Sequence, residues 1–164
     1  MAAGAAYRLQ YTWRIEGPIE RVFYFLGHVT TFPRWWGEVF LAAESDATDP
    51  FVGARATVKA RSALPYVLDW DLIVTRLEPP HRILLDSHIQ LSWGLELSGS
   101  IDYRLEEHGA LVHVITDQLM RPARPIPWPL RGLAGWLFRF NPGWAMKRGE
   151  AGLQRIVRAA GPTG

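Results

Sequence analysis

At 164 residues, with 48% apolar residues, eight tryptophans and a net charge of +2, the chain is sized for one globular domain that buries roughly two-thirds of its unfolded surface. This profile argues against a disordered chain. It also argues against a dedicated nucleic-acid surface, because the eighteen basic groups are scattered along the sequence, and no run nears the about 20 apolar residues of a membrane span.

The absence of cysteine removes disulfides, thiol catalysis and thiolate metal sites. The opening Met-Ala-Ala-Gly-Ala-Ala lacks the basic start and apolar core of a secretory signal, so the expected compartment is the cytoplasm.

Residues 7–16 alternate cleanly, with Tyr7, Leu9, Tyr11, Trp13 and Ile15 on one face, and predict a half-buried strand. Gly17-Pro18 ends it. Pro18 suits the first turn of a short helix in which Ile19, Val22, Phe23 and Leu26 share a face, and Gly27 stops that helix. A second helical turn is expected over 31–36, with Thr31 placed to cap it and Pro33 tolerated near its start.

After Gly37 the pattern becomes strands joined by short turns. Strands are expected at 38–47, 53–63, 66–77, 82–88, about 95–105 and 110–120, with turns at Thr48-Asp49-Pro50, Glu78-Pro79-Pro80-His81 and Glu107-His108-Gly109. Such short connections force mainly antiparallel pairing, since a parallel neighbour needs a crossover of about a dozen residues. From 125 to 160 the apolar spacing turns helical: Leu130, Leu133, Ala134, Leu137 and Phe138, then Met146, Gly149, Leu153, Ile156 and Val157. Proline at 142 predicts a bend or break there.

The expected architecture is α+β: a curved antiparallel sheet of about seven strands around a long C-terminal helix, two short helices after strand one, all in a single domain over 1–164.

That order resembles the helix-grip fold of the START/Bet v 1 superfamily, within it the bacterial polyketide cyclase/dehydrase-like and lipid-transport group. The local carriers are Gly17-Pro18-Ile19-Glu20-Arg21-Val22-Phe23, Phe32-Pro33-Arg34-Trp35-Trp36, Val74-Thr75-Arg76-Leu77-Glu78-Pro79-Pro80-His81-Arg82, and Phe140-Asn141-Pro142-Gly143-Trp144-Ala145-Met146-Lys147-Arg148-Gly149-Glu150. The resemblance implies a hydrophobic cavity between sheet and helix that takes lipids, sterols, polyketides or similar molecules. It implies catalysis for only some members.

Trp13, Trp35, Trp36, Tyr66, Trp70, Trp93, Tyr103 and Trp144 fall on apolar faces or at element ends, where they suit the wall of a ligand site and equally an ordinary core. Met146, Gly149, Gly152 and Leu153 are the expected roof, the glycines giving room for a ligand or for close packing.

Asp69 and Asp71 flank Trp70 on the opposite face of their strand and are expected in solvent; Glu96, Asp117 and Glu150 also lie near apolar faces. His113 shares parity with Leu111 and Ile115, which makes it a candidate for interior proton transfer, although a surface or structural role is favoured. Tyr66 and Tyr103 are candidates for orienting a ligand carbonyl. No nucleophile elbow, paired metal-ligand histidines or phosphate-cradling glycine loop is present, so neither metal nor cofactor is expected.

A basic and aromatic segment, with Arg121, Arg124, Trp128, Leu130, Arg131, Trp136 and Arg139, suits transient contact with a membrane surface or simply a proline-stiffened loop. The leading function is binding of a hydrophobic small molecule. A polyketide cyclase/aromatase-like enzyme and a protein-interaction module without a cavity are the alternatives.

Overall fold

The computed structural model describes residues 6–61, 67–91 and 94–160, with side chains described throughout these ranges except at 136–142. Among them, β1 (Tyr7–Glu16), β2 (Phe40–Ser45), β3 (Arg55–Arg61), β4 (Val67–Glu78), β5 (Arg82–Leu91), β6 (Glu96–His108) and β7 (Leu111–Pro122) form one curved antiparallel sheet. Its order is β1-β7-β6-β5-β4-β3-β2, so the first strand closes onto the last and β1 and β2 are the edges. The odd residues of β1 face inward, and they pair with the even residues of β7, Tyr11 opposite Thr116 and Trp13 opposite Val114. The strands expected from alternation and turns are all present, with ends shifted by a few residues.

Two short helices follow β1. Gly17 makes this junction possible: its φ is +148°, and a Cβ there would meet Val157 Cγ1 at 2.5 Å. Helix α1 (Ile19–Gly27) buries Ile19, Val22, Phe23, Phe25 and Leu26. A 3-10 turn (Val29–Thr31) then runs directly into α2 (Phe32–Trp35). Thr31 does not cap α2. It already lies in helical conformation at the end of the 3-10 turn, so its hydroxyl donates back to the His28 carbonyl at 2.6 Å and accepts from Trp35 Nε1 at 3.1 Å.

Helix α3 (Arg131–Ala159) is continuous through Pro142, so of the bend or break expected there the break is absent. It also begins later than residue 125. Pro125, Pro127 and Pro129 disfavour helical conformation in the residue before each of them, so only a 3-10 turn (Trp128–Leu130) precedes the helix. The C-terminal half of α3 is fastened to the end of β1 and to α1. Glu16 N–H donates to Gln154 Oε1 at 2.8 Å, Gln154 Nε2 donates to the Glu16 carbonyl at 3.1 Å, and Arg14 N–H donates to Glu150 Oε2 at 3.3 Å. Arg21 adds a bond to the Val157 carbonyl at 3.1 Å.

On the outer face, Arg8 donates through Nε and Nη2 to the two oxygens of Asp117, at 3.0 and 2.6 Å. These hydrogen bonds, chiefly, hold the Asp117 carboxyl below its ordinary 3.8. A carboxyl whose folded value is depressed adds stability above its unfolded value, and that stability is lost as pH falls through the folded one. Urea unfolding is therefore expected to show a small loss of wild-type stability below pH 3.8 that Asp117→Asn lacks. Equal acid sensitivity in the two proteins would contradict this assignment. The effect is small because Arg8 is largely exposed.

Candidate functional site

The inner face of the sheet has two unlike ends. At the end bearing Trp13, Ile15, Val112 and Leu105, the sheet shares one continuous apolar core with α1, α2 and the C-terminal half of α3. Trp13 meets Trp36 edge-on at 5.2 Å and Trp35 at 6.5 Å, Phe32 and Phe40 extend the cluster, and Trp36 Nε1 donates to the Ala145 carbonyl at 2.8 Å.

The two helix glycines belong to this packing. A Cβ on Gly149 would lie 2.6 Å from the Trp36 ring and 2.7 Å from Trp13, and one on Gly152 would collide with the Trp35 carbonyl oxygen. Their room is taken up by neighbouring side chains and backbone. Trp13, Trp35, Trp36, Gly149 and Leu153 therefore stand within the packed end, with Met146 buried beside them. Trp144 is half-buried, with the Arg148 guanidinium 4.4 Å over its ring.

Toward the other end the inward residues are less covered. Leu9 and Tyr11 on β1, Leu68 and Trp70 on β4, and Leu95 before β6 have inward parity or pack on apolar residues of this end, yet are only half-buried. A separate apolar cluster of Ile89, Leu91, Leu97 and Met120 lies there. Between it and the packed end runs a belt of polar residues. Tyr11, Thr116 and Tyr103 lie in one row across β1, β7 and β6; Leu9, Gln118 and Ile101 form the next; Met120, Gly99 and Ser87 follow across β7, β6 and β5. Gly99 carries no side chain into that last row, and a Cβ there would strike the Leu119 carbonyl oxygen.

The belt is incompletely satisfied. Thr116 is 0% exposed, Ser87 and Gln118 5%, and the hydroxyls of Thr116 and Ser87 and the Trp70 indole N–H are buried without a hydrogen-bond partner among the described residues. Gln118 has only a weak contact, Nε2 to Met120 Sδ at 3.5 Å. A buried polar group left unpaired costs about 1–3 kcal/mol, so such groups suit a water or a polar ligand atom; Trp13 Nε1, at the packed end, is also without a partner among the described residues. Burial raises the Tyr11 hydroxyl above its ordinary value and pushes that of Tyr103 further still, so both stay protonated at neutral pH and available as donors.

The ionisable candidates lie elsewhere. His113 is on the outer face, stacked on His108 at 4.1 Å, because β7 turns Val112, Val114 and Thr116 inward. Asp69 and Asp71 are exposed, Asp117 holds Arg8, and Glu150 meets the backbone of β1; Glu96 accepts from Gln90 at 3.2 Å at the start of β6. Tyr66 and Trp93 lie outside the described residues. Thr116, Gln118 and Ser87 were not anticipated. The missed signal was the pairing of β7 with the unambiguous face of β1, which fixes the parity that β7 alone leaves open. Among the described residues no cluster of three or more His, Asp or Glu suits a metal ion, and no helix is long and apolar enough to cross a membrane.

No protein-family profile and no curated protein matches the chain. Solved structures match it over nearly its whole length. A START superfamily protein from Mycobacterium smegmatis is 11% identical, with 93% of this chain and 98% of that one covered and a TM-score of 0.67. The Zhui aromatase/cyclase from Streptomyces sp. R1128 is 16% identical over 96% and 99% of the two chains, TM-score 0.67. Major latex-like protein 151 from Panax ginseng is 11% identical over 90% and 97%, TM-score 0.61. With its sheet order, its paired short helices and its closing helix, the chain has the helix-grip fold of the START/Bet v 1 superfamily.

Proposed function

We propose that this protein binds a hydrophobic small molecule, of lipid, polyketide or aromatic type, between the inner face of the sheet and α3. The observation that carries this reading is the polar belt: two buried hydroxyls and an indole N–H without partners, set among apolar and aromatic residues that are only half covered. A ligand with an apolar body and one or two oxygen atoms satisfies both features at once. Its body covers Leu9, Leu68 and Trp70, and its oxygens pair with Thr116, Ser87 and the Tyr103 hydroxyl.

The belt favours binding over acid–base catalysis. Proton transfer at neutral pH calls for a group that titrates nearby, and the buried polar residues among the described ones are Thr31, Ser87, Thr116 and Gln118, with no carboxylate or imidazole. Tyr103 is moved away from neutrality by its burial. The similarity to an aromatase/cyclase extends to the fold and supplies no reacting group.

Native mass spectrometry of the protein, followed by solvent extraction, tests the proposal. The expected result is a copurified small molecule of a few hundred daltons bearing at least one hydroxyl or carbonyl, or saturable binding of a long-chain fatty acid or naphthol probe. A ligand-free protein that binds none of these would overturn it.

A further inference from the structure

The segment joining β7 to α3, with the first turn of α3, presents large apolar side chains to solvent. Trp128 is 81% exposed, Leu130 42% and Leu133 53%, three side chains within six residues. The segment is also rigidly held. Three prolines stiffen it, Ile126 is buried beneath it, and Arg131 Nε donates to the Ile126 carbonyl at 3.1 Å. Large apolar side chains clustered on the surface and rimmed by polar residues mark a contact site, as single exposed ones do not.

Charge identifies what the contact is with. Between Asp117 and Glu150 the chain has six basic residues, Arg121, Arg124, Arg131, Arg139, Lys147 and Arg148, and no acidic one, against a net charge of +2 for the whole protein. Arg121, Arg124 and Arg131 are exposed around the apolar group. Across the sheet the segment borders Glu96, whose carbonyl accepts from Ala123 N–H at 2.9 Å and whose carboxylate is engaged by Gln90. Tryptophan and leucine flanked by arginine, without interspersed acids, is the composition of a segment that lies in a membrane interface.

We infer that Trp128, Leu130 and Leu133 enter the headgroup region of an anionic phospholipid bilayer while Arg121, Arg124 and Arg131 bind its phosphates. The position of the segment gives this contact a use. Pro122 pairs with Leu97 at the end of the sheet that carries the half-buried Leu9, Leu68 and Leu95, so the docked face adjoins the proposed ligand space. The inference deepens the ligand-binding reading and rests on it for its purpose, while vesicle binding is measured without the ligand.

The test is flotation of the full chain with vesicles of phosphatidylglycerol and phosphatidylcholine in equal parts, at low salt, against vesicles of phosphatidylcholine alone. Binding is expected to the anionic vesicles and to be lost in high salt. Each arginine near such a surface contributes about a fivefold factor, so Arg121→Gln with Arg124→Gln is expected to weaken binding about 25-fold. Trp128→Ser with Leu133→Ser is expected to weaken it at least about tenfold, and Arg34→Gln on α2 to leave it unchanged.

No flotation of the wild type, or flotation indifferent to both paired variants, overturns the inference. So does a protein that ignores vesicles and is retained on immobilised polyglutamate, the result expected of an acidic protein partner. Solvent extraction and probe titration of the same preparation keep the two proposals apart: ligand or probe bound without flotation removes docking alone, and flotation with neither removes the binding reading alone.

Discussion

Gly152→Ala is expected to destabilise the protein by about 2–3 kcal/mol, although alanine is the better helix former by about 1 kcal/mol. The added methyl group would occupy the position of the Trp35 carbonyl oxygen, and that oxygen belongs to backbone that cannot rotate aside. Relief requires α3 to move off α2, and α3 is held by Gln154 and Glu150 to β1 on one side and by Trp36 Nε1 to Ala145 on the other. For a chain of this size the loss corresponds to a fall in Tm of about 5–10 °C. Gly132→Ala in the first turn of the same helix meets open space, so it is expected to raise stability by up to about 1 kcal/mol. Thermal unfolding followed by circular dichroism compares the two. Equal shifts in the two variants would show that the contact of α2 with α3 is looser than these distances state.

The second large effect concerns Thr116. Its hydroxyl is fully buried and has no partner among the described residues, in the same row as Tyr11 and Tyr103. Valine has nearly the same shape and removes the hydroxyl, so Thr116→Val is expected to stabilise the ligand-free protein by about 1–2 kcal/mol. The same change removes a hydrogen-bonding group from the proposed ligand and is expected to weaken its binding by about fivefold to tenfold. Stability and affinity thus move in opposite directions, a pairing expected of a residue kept for its ligand. Calorimetric unfolding with titration of a bound probe measures both. A destabilised variant with unchanged affinity would mean that Thr116 is satisfied within the protein and serves its structure.

Much of the architecture was legible because its signals are periodic. The alternation of β1, the Gly-Pro junction and the proline turns set the strand count and the antiparallel order, and the stripe from Met146 to Val157 set the gripping helix. Two local expectations failed for physical reasons. Thr31 was read as a cap by residue type, but its backbone is already helical. Pro142 predicts a bend or a break; the break is absent, since α3 runs through it and keeps its buried contacts at Met146, Leu153 and Val157.

The site was less legible than the fold. Aromatic residues announce themselves by size, and three of the tryptophans so identified, Trp13, Trp35 and Trp36, pack into the closed end. The polar belt consists of small residues on strands with two apolar faces, where only pairing with a neighbour decides which side turns inward. His113 illustrates the ambiguity, since its apolar companions Leu111 and Ile115 lie on the outer side with it.

The bonds from α3 to β1 have a bearing on self-association. Strand β1 is an edge of the sheet, and the outward amides of Arg14 and Glu16 would otherwise be free to pair with another chain. Glu150 and Gln154 are four residues apart on a helix, a rise of about 6 Å, and Arg14 and Glu16 are two apart on a strand, about 6.6 Å. The near match lets two side chains of α3 occupy successive donors of the edge, and Gln154, bonding both N–H and C=O of Glu16, takes the place of a strand residue. The opposite edge, β2, is only six residues long and irregular between Phe40 and Ala42. The helix that grips the inner face of the sheet thereby also covers part of the sheet's longer margin against a second copy of the chain.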